Sequence, residues 1–93
     1  LNSLSSKRIR EGLKIIRKLK LENFVGDASN IASNKIYPVS IRKSAINLLK
    51  FFKAKDYWEI PHQILKDPYE SGSLKLAALN ALLRLNAEMV VNI

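Results

Sequence analysis

The stretch SIRKSAINLL, residues 40–49, decides the fold because its apolar side chains recur every three or four residues. That spacing places them on one face of a helix. The same pattern occurs earlier in the chain as KRIREGLKII, residues 7–16, and again later as SLKLAALNAL, residues 73–82. The three stretches are equally spaced along the chain, and we call this constant spacing the repeat period. The chain is therefore predicted to repeat one helical unit along its length.

A shift by one repeat period also aligns a position that is small in every unit, where Gly12, Ala45 and Ala78 coincide. A small residue lets a neighbouring helix backbone approach closely, where a larger side chain would overpack. We therefore expect these three residues to lie at close helix contacts. The aligned apolar sets are Leu13, Ile46 and Leu79; Ile15, Leu48 and Ala81; Ile16, Leu49 and Leu82; and Leu19, Phe52 and Leu85.

Hydrophobic periodicity and turn residues outline the helices. Long helices are predicted at about residues 6–21, 39–53 and 73–85, and shorter ones at about 27–34, 60–66 and 87–93. Ser5 or Ser6, Asp27, and Ser71 or Ser73 are the predicted helix caps. Asp67-Pro68 is predicted to stop the helix before it, since the residue before proline is pushed out of the α region. No alternating strand pattern of useful length occurs, so the chain is predicted to be all-α.

Residues 40–49 and 60–68, followed by 74–82, resemble a HEAT repeat, most closely the short variety also seen in phycobilin-lyase-like proteins. The resemblance implies a short right-handed α-solenoid of about two and a half helix-pair repeats, in which the second helices line the concave side. The repeats are predicted at about residues 5–36, 37–69 and 70–93 in one domain. Because the last repeat stops where its second helix should begin, we expect a fragment of a longer array.

The HEAT resemblance also concerns the polar contacts between repeats. The family often places an Asp after a second helix and an Arg early in the next first helix, which pair in a ladder. Asp67 and Arg42 fit this pattern, but their partner positions hold Lys75 and Asn34. The sequence therefore does not predict the regular ladder at either junction.

The charge of the chain is strongly positive, with 16 Lys and Arg against 8 Asp and Glu and a net charge of +8. A basic helix face could bind nucleic-acid phosphates with steep salt dependence. The candidate contacts are Lys7, Arg8, Arg10, Lys14, Arg17 and Lys18. Most basic residues belong to the first helices, which the resemblance places in the outer layer, so a solvated face is the favoured interpretation. Nucleic-acid binding is the alternative, and membrane binding is not predicted.

Catalytic constellations are nearly absent from the sequence. There is no Cys, which excludes thiolate metal sites and a Cys nucleophile, and the only His is His62. Gly12, Gly26 and Gly72 are isolated, so there is no glycine-rich phosphate loop. No apolar run is long enough to cross a membrane. We therefore predict no enzyme activity, no metal and no cofactor.

Outward positions of the second helices are the candidates for partner binding. By the resemblance, the concave face presents Asn30, Glu59, His62, Gln63 and Lys66, with Trp58 as a further candidate. An exposed Trp is a favoured anchor for a partner. For Trp58, closure of the loop over the groove between helices is the favoured alternative.

The predicted function is a non-catalytic protein interaction or scaffold module that presents a fixed surface to another protein or to the rest of its own chain. A nucleic-acid-binding module and an accessory domain of a larger enzyme are the alternatives. The third long helix is apolar almost all round, and the tail at 87–93 is too small to cover it. Self-association through this C-terminal end is therefore expected. The compartment is not determined by the sequence, and a cytoplasmic location is favoured.

Overall fold

The chain folds into helices joined by short turns. The computed structural model describes residues 3–92, and the side chains of residues 6–91. Five α-helices are formed: α1 (Ser3–Lys18), α2 (Val25–Ser33), α3 (Val39–Phe51), α4 (Glu59–Lys66) and α5 (Gly72–Leu85). Short 3-10 helices lie at Glu22–Phe24, Lys55–Tyr57 and Ala87–Asn92. The described residues contain no strand, and the prediction of an all-α fold is confirmed.

Helix α3 lies at the centre of the molecule, where it packs against α1, α2 and α5. Helices α1, α3 and α5 therefore follow one another side by side, with α2 against α3 and α4 against α5. The most extensive packing is that of α3 on α2 and on α5, and α4 packs on α5 across the short turn at residues 67–71. The terminal 3-10 helix packs against α5.

The backbone repeats with the same period that the sequence indicates. Lys20 and Lys53, which follow α1 and α3, both adopt left-handed backbone angles, with φ of 54° and 51°. In both turns, the next residue donates its N–H to the carbonyl five residues earlier, over 2.9 Å after α1 and 3.0 Å after α3. This is the usual hydrogen bond of a helix that ends in a left-handed residue.

The turns after α2 and α4 repeat in the same way. The side-chain oxygen of Asn34 accepts from the N–H of Ile36 at 3.0 Å, and that of Asp67 accepts from the N–H of Tyr69 at 2.9 Å. A short polar side chain that binds the backbone two residues on stabilises a tight turn. Asn34 and Asp67 are also one repeat period apart, so the repeat is a property of the folded backbone.

The core confirms two of the three small positions. Ala45 and Ala78 are fully buried, as predicted. Gly12 corrects the prediction, because a Cβ added there would meet no atom within 4 Å. The reason is its place in α1, the first helix of the described series, whose main described neighbour is α3. The principal buried apolar residues are Leu13, Val25, Ala28, Ala32, Ile41, Ala45, Ile46, Leu48, Leu49, Ile64, Leu74, Ala77, Ala78, Ala81, Leu82 and Leu85.

Helix starts are partly corrected as well. Helix α1 already begins at Ser3, so neither Ser5 nor Ser6 caps it, and Ser6 is buried within it. Helix α2 begins two residues before Asp27, which lies in its first turn, where a carboxylate is favoured by the helix dipole. The predicted cap of α5 is confirmed, since the hydroxyl of Ser71 accepts from the N–H of Leu74 at 3.1 Å.

Candidate functional site

The residues predicted for the concave face lie on α2 and α4, with Trp58 just before α4. Asn30, Glu59, Gln63 and Lys66 are exposed or half-buried. Trp58 is half-buried against the core, and its ring meets that of His62 edge-on at 5.4 Å. His62 is half-buried, with its Nε2 atom unpaired in the described part of the chain. Together these side chains offer mixed polar chemistry rather than one dominant charge.

The basic residues predicted as phosphate contacts all lie on α1. The structure brings only some of them together in one groove. Arg10, Lys14 and Arg17 line a groove of about 210 Å³ between α1 and α3. Lys14 also forms an exposed ion pair with Glu11 at 3.8 Å. Arg17 in addition belongs to a second group of residues, which the sequence pattern does not predict.

That second group surrounds a cavity of about 330 Å³ formed by α1, α3, α5 and the turn after α3. We call it the cationic cavity; its lining residues are Arg17, Asn47, Lys50, Phe51, Lys53 and Arg84. The guanidinium carbon of Arg17 lies 4.8 Å from the centre of the Phe51 ring. Phe51 is 39% exposed, and Phe52 supports it edge-on at 5.1 Å between ring centres.

Local structure explains why cations gather at this cavity. Arg17, Lys50 and Arg84 lie in the last turns of α1, α3 and α5, where the helix dipole favours positive charge. Because these helices lie side by side, their C-terminal turns bring the charges to one region. The sequence held a signal for this group, since Arg17 and Lys50 are one repeat period apart and so are Phe51 and Arg84, so each pair occupies equivalent positions.

A buried ion pair joins α3 to the turn before α5. Arg42 donates from Nη1 and Nη2 to the two carboxylate oxygens of Glu70, at 3.0 and 2.6 Å. Its Nε donates to the carbonyl oxygen of Ala32 at 2.8 Å. The two charged side chains are only 4% and 7% exposed. This paired geometry satisfies a charge that burial would otherwise make costly.

A second ion pair lies beside it at the surface, where Lys35 Nζ donates to Asp67 Oδ2 at 2.6 Å. The hydrogen bond from Lys35 lowers the pKa of Asp67, and the backbone N–H of Tyr69 lowers it further. The same hydrogen bond raises the pKa of Lys35. Both groups therefore stay charged throughout the neutral range, and they link the turns that follow α2 and α4.

These contacts explain how the repeats are joined in place of the regular Asp–Arg ladder. Arg42 finds its carboxylate in Glu70 rather than at position 34, and Asp67 pairs with Lys35 rather than with Lys75. Sequence alignment by the repeat period missed both partners because neither lies at the expected position. The two ion pairs thus hold neighbouring helices and turns together.

An apolar surface remains on α5. Leu76 and Leu83 are 62% and 51% exposed, and their spacing of seven residues puts them on the same side of the helix. Leu79, which lies between them, is half-buried. We call Leu76, Leu79 and Leu83 the α5 face. The terminal 3-10 helix leaves this face partly open, and Ile93, which was predicted to belong to the tail, lies outside the described residues.

The described residues offer neither a metal site nor a membrane-spanning helix. Within residues 3–92, no three His, Asp or Glu side chains come together in a way that could hold a metal ion. Over the same residues, no helix has both the length and the apolar character needed to cross a membrane. Comparisons with protein-family models, with curated proteins and with solved structures find no match for this chain.

Proposed function

We propose that this chain is a non-catalytic interaction module, a short right-handed solenoid of HEAT-like helix pairs that presents a fixed surface to another protein or to the remainder of its own chain. The observation that carries the proposal is the α5 face. The side-by-side series of α1, α3 and α5 supports it, because each member of such a series offers one side to the next helix.

Repeat equivalence indicates what the α5 face is for. Leu76 and Leu83 are equivalent to Lys43 and Lys50 of α3. Lys43 donates to the hydroxyl of Ser73 at the start of α5, at 2.9 Å, and Lys50 lines the cationic cavity together with Arg84 of α5. In α3 these positions therefore border the contact with the helix that follows. In α5 they hold leucines, half or more exposed.

The proposed occupant of the α5 face is a helix that packs on α5 as α5 packs on α3. Leucine replaces lysine at both positions, so this junction would be more apolar than the one inside the described chain. Burial of the exposed parts of Leu76 and Leu83 would contribute roughly 1–2 kcal/mol each. This gain is modest, so it favours docking of an already folded helix over docking of a flexible segment, whose ordering would add a further cost.

The test is association through the α5 face, measured by sedimentation at rising protein concentration and by binding of a hydrophobic dye. The variant Leu76→Lys/Leu83→Lys installs the residue type that α3 carries at these positions. We expect the parent to associate or bind dye, and the variant to lose both while keeping its helical circular dichroism, because exposed leucines contribute little to the fold.

The matched control is Ile36→Lys/Tyr69→Lys. Ile36 and Tyr69 lie one repeat period apart in the two equivalent turns, and their replacement adds the same charge. Tyr69 is 90% exposed and Ile36 is 68% exposed. We expect this control to associate like the parent. A parent that is strictly monomeric and binds no dye would contradict the proposal, and so would equal losses in the two double variants.

Two alternatives to a protein interaction module remain, an accessory role in a larger enzyme and nucleic-acid binding. An accessory role in a larger enzyme would use the same kind of docking face, with the active site outside these residues. Nucleic-acid binding is favoured by a separate observation, the cationic cavity.

A further inference from the structure

We propose that the cationic cavity binds single-stranded nucleic acid, with Arg17, Lys50, Lys53 and Arg84 around the phosphates and the stacked Arg17–Phe51 pair as the platform for a base. The proposal does not depend on the α5 face. It rests on what the cavity combines: four cationic side chains, one amide and one half-exposed aromatic ring, in a volume of about 330 Å³.

The charge of the cavity is uncompensated by its own lining, because no Asp or Glu of the described residues lines it. A cleft lined by one sign of charge focuses the electrostatic field and concentrates ligands of opposite charge. The net charge of +8 on the chain adds to this attraction at long range. An anion bound here would relieve the mutual repulsion of four cations.

A neighbouring cavity of about 320 Å³ shows the contrast. It shares Lys53 with the cationic cavity and also contains Lys55, but Glu22 and Asp56 line it as well. Two acids beside two lysines compensate its charge, so a polyanion gains little there. The cationic cavity is therefore better suited to an anion than this neighbouring cavity is.

The aromatic ring restricts the anions that suit this cavity to those that carry a planar base. The Arg17 guanidinium lies over the Phe51 ring, and Phe52 holds that ring from the side. Nucleic-acid bases stack on aromatic rings and on guanidinium planes, and every base has a face that can do so. In a duplex the bases are already stacked, so only a single strand can use Phe51. Asn47 is the single amide among the described lining residues, so we expect weak sequence preference.

The experiment measures binding of a fluorescent oligo(dT) of about twelve nucleotides by anisotropy over a series of salt concentrations. The test variant is Arg17→Gln/Arg84→Gln, and its matched control is Lys7→Gln/Lys18→Gln, which removes the same charge from positions that do not line the cavity. We expect the test variant to weaken binding about ten-fold or more and to reduce the salt slope by about 1.4. The control should weaken binding by at most about two-fold.

A second pair of variants isolates the aromatic contribution. Phe51→Leu should weaken oligo(dT) binding about five-fold or more, whereas Phe51→Tyr, which keeps the ring, should bind like the parent. Circular dichroism and thermal melting confirm that each variant is folded. Equal losses in the two charge variants would overturn the proposal, because binding would then follow net charge alone.

Two competing ligands complete the test. A duplex of the same length that binds as tightly as oligo(dT), with no effect of Phe51→Leu, would overturn the single-strand assignment. Poly-glutamate that binds more tightly than oligo(dT) would overturn the nucleic-acid assignment in favour of an acidic peptide. Weaker binding of both competitors supports the proposal.

Discussion

Arg42 shows what a single residue contributes to this fold. Its guanidinium is buried, and its hydrogen bonds go to the carbonyl of Ala32 and to both oxygens of Glu70. One side chain thus joins the end of α2, the start of α3 and the turn before α5. A buried charge is tolerated only while its partner is present, so the pair should be more sensitive to change than any surface contact.

Glu70→Gln should therefore lower the free energy of unfolding by about 3 kcal/mol, because it leaves the Arg42 charge buried without a carboxylate. Urea unfolding followed by circular dichroism measures this change. The amide keeps the size of the side chain and one acceptor oxygen, so the loss reports the charge rather than a cavity.

Asp67→Asn is the control for that variant, since it removes a carboxylate from the neighbouring solvent-screened pair with Lys35 and should change the free energy of unfolding much less than Glu70→Gln does. The pKa of Asp67 is lowered in the folded state, so its contribution is present above the usual carboxyl pKa of about 4. It is lost as the pH falls through the lowered value. If Glu70→Gln and Asp67→Asn lowered the free energy of unfolding equally at neutral pH, the buried pair would not be the contact that holds these helices together.

The partner of Arg42 could not be predicted from the sequence, for a physical reason. Alignment by the repeat period compares equivalent helix positions and points to Asn34. Glu70 reaches Arg42 because the turn at 67–71 brings it back beside α3, and the Asp67 side chain stabilises that turn. Turn geometry decides this contact, and helical periodicity does not describe turns.

At the scale of elements, the periodicity predicted the helices well and their ends less well. α3 and α5 begin within one residue of the predicted starts, after Pro38 and Ser71 respectively. Helix α1 ends at Lys18, earlier than predicted, because Lys20 takes a left-handed backbone angle. A lysine gives little warning of such an angle, which glycine adopts most readily.

Gly12, Ala45 and Ala78 occupy equivalent positions of α1, α3 and α5. Enlarging them should change the free energy of unfolding in opposite directions. Ala45→Leu and Ala78→Leu should each lower the free energy of unfolding by about 1–3 kcal/mol, because both sites are fully buried and cannot accept added volume. Gly12→Ala, at the equivalent position of α1, should instead raise it by about 0.5–1 kcal/mol.

The physical reason for the opposite sign is open space. A Cβ at Gly12 meets no atom within 4 Å, so alanine adds helix propensity without a clash. Thermal or urea unfolding of the three variants provides the measurement. Destabilisation by Gly12→Ala would show a close neighbour at that position, and unchanged melting of both leucine variants would contradict the repeat register.

At the scale of the molecule, the packing of helices decides what can be recognised from sequence. The exposed apolar side of α5 was foreseeable, because Leu76 and Leu83 make that helix apolar nearly all round. The cationic cavity was not, because its residues come from three helices and meet only when those helices lie side by side. The resemblance placed the candidate binding surface on α2 and α4, whereas basic and aromatic residues meet at the C-terminal turns of α1, α3 and α5.

The arrangement also predicts uneven stability along the chain. α3 buries Ile41, Ala45, Ile46 and Leu49 completely, and it has neighbours on several sides. Among the described apolar side chains of α1, only Leu13 is buried, and the helix packs mainly on α3. A helix with one main neighbour among the described residues and one buried apolar side chain is expected to open more easily than a helix packed on several sides.

Native-state hydrogen exchange should therefore show amides of α1 exchanging on the order of ten-fold or more faster than amides of α3. Leu13→Ala should speed exchange throughout α1 and leave the protection of α5 nearly unchanged, because Leu13 anchors α1 to the rest of the core. The variant Ile15→Ala is the matched control, since Ile15 is exposed on the same helix and its loss should leave α1 protection close to that of the parent. Equal protection of α1 and α3 would show that α1 is held by more than its contact with α3. Because Arg17 lies on α1, opening of this helix also separates Arg17 from Phe51, so the shape of the cationic cavity depends on the least stable helix junction.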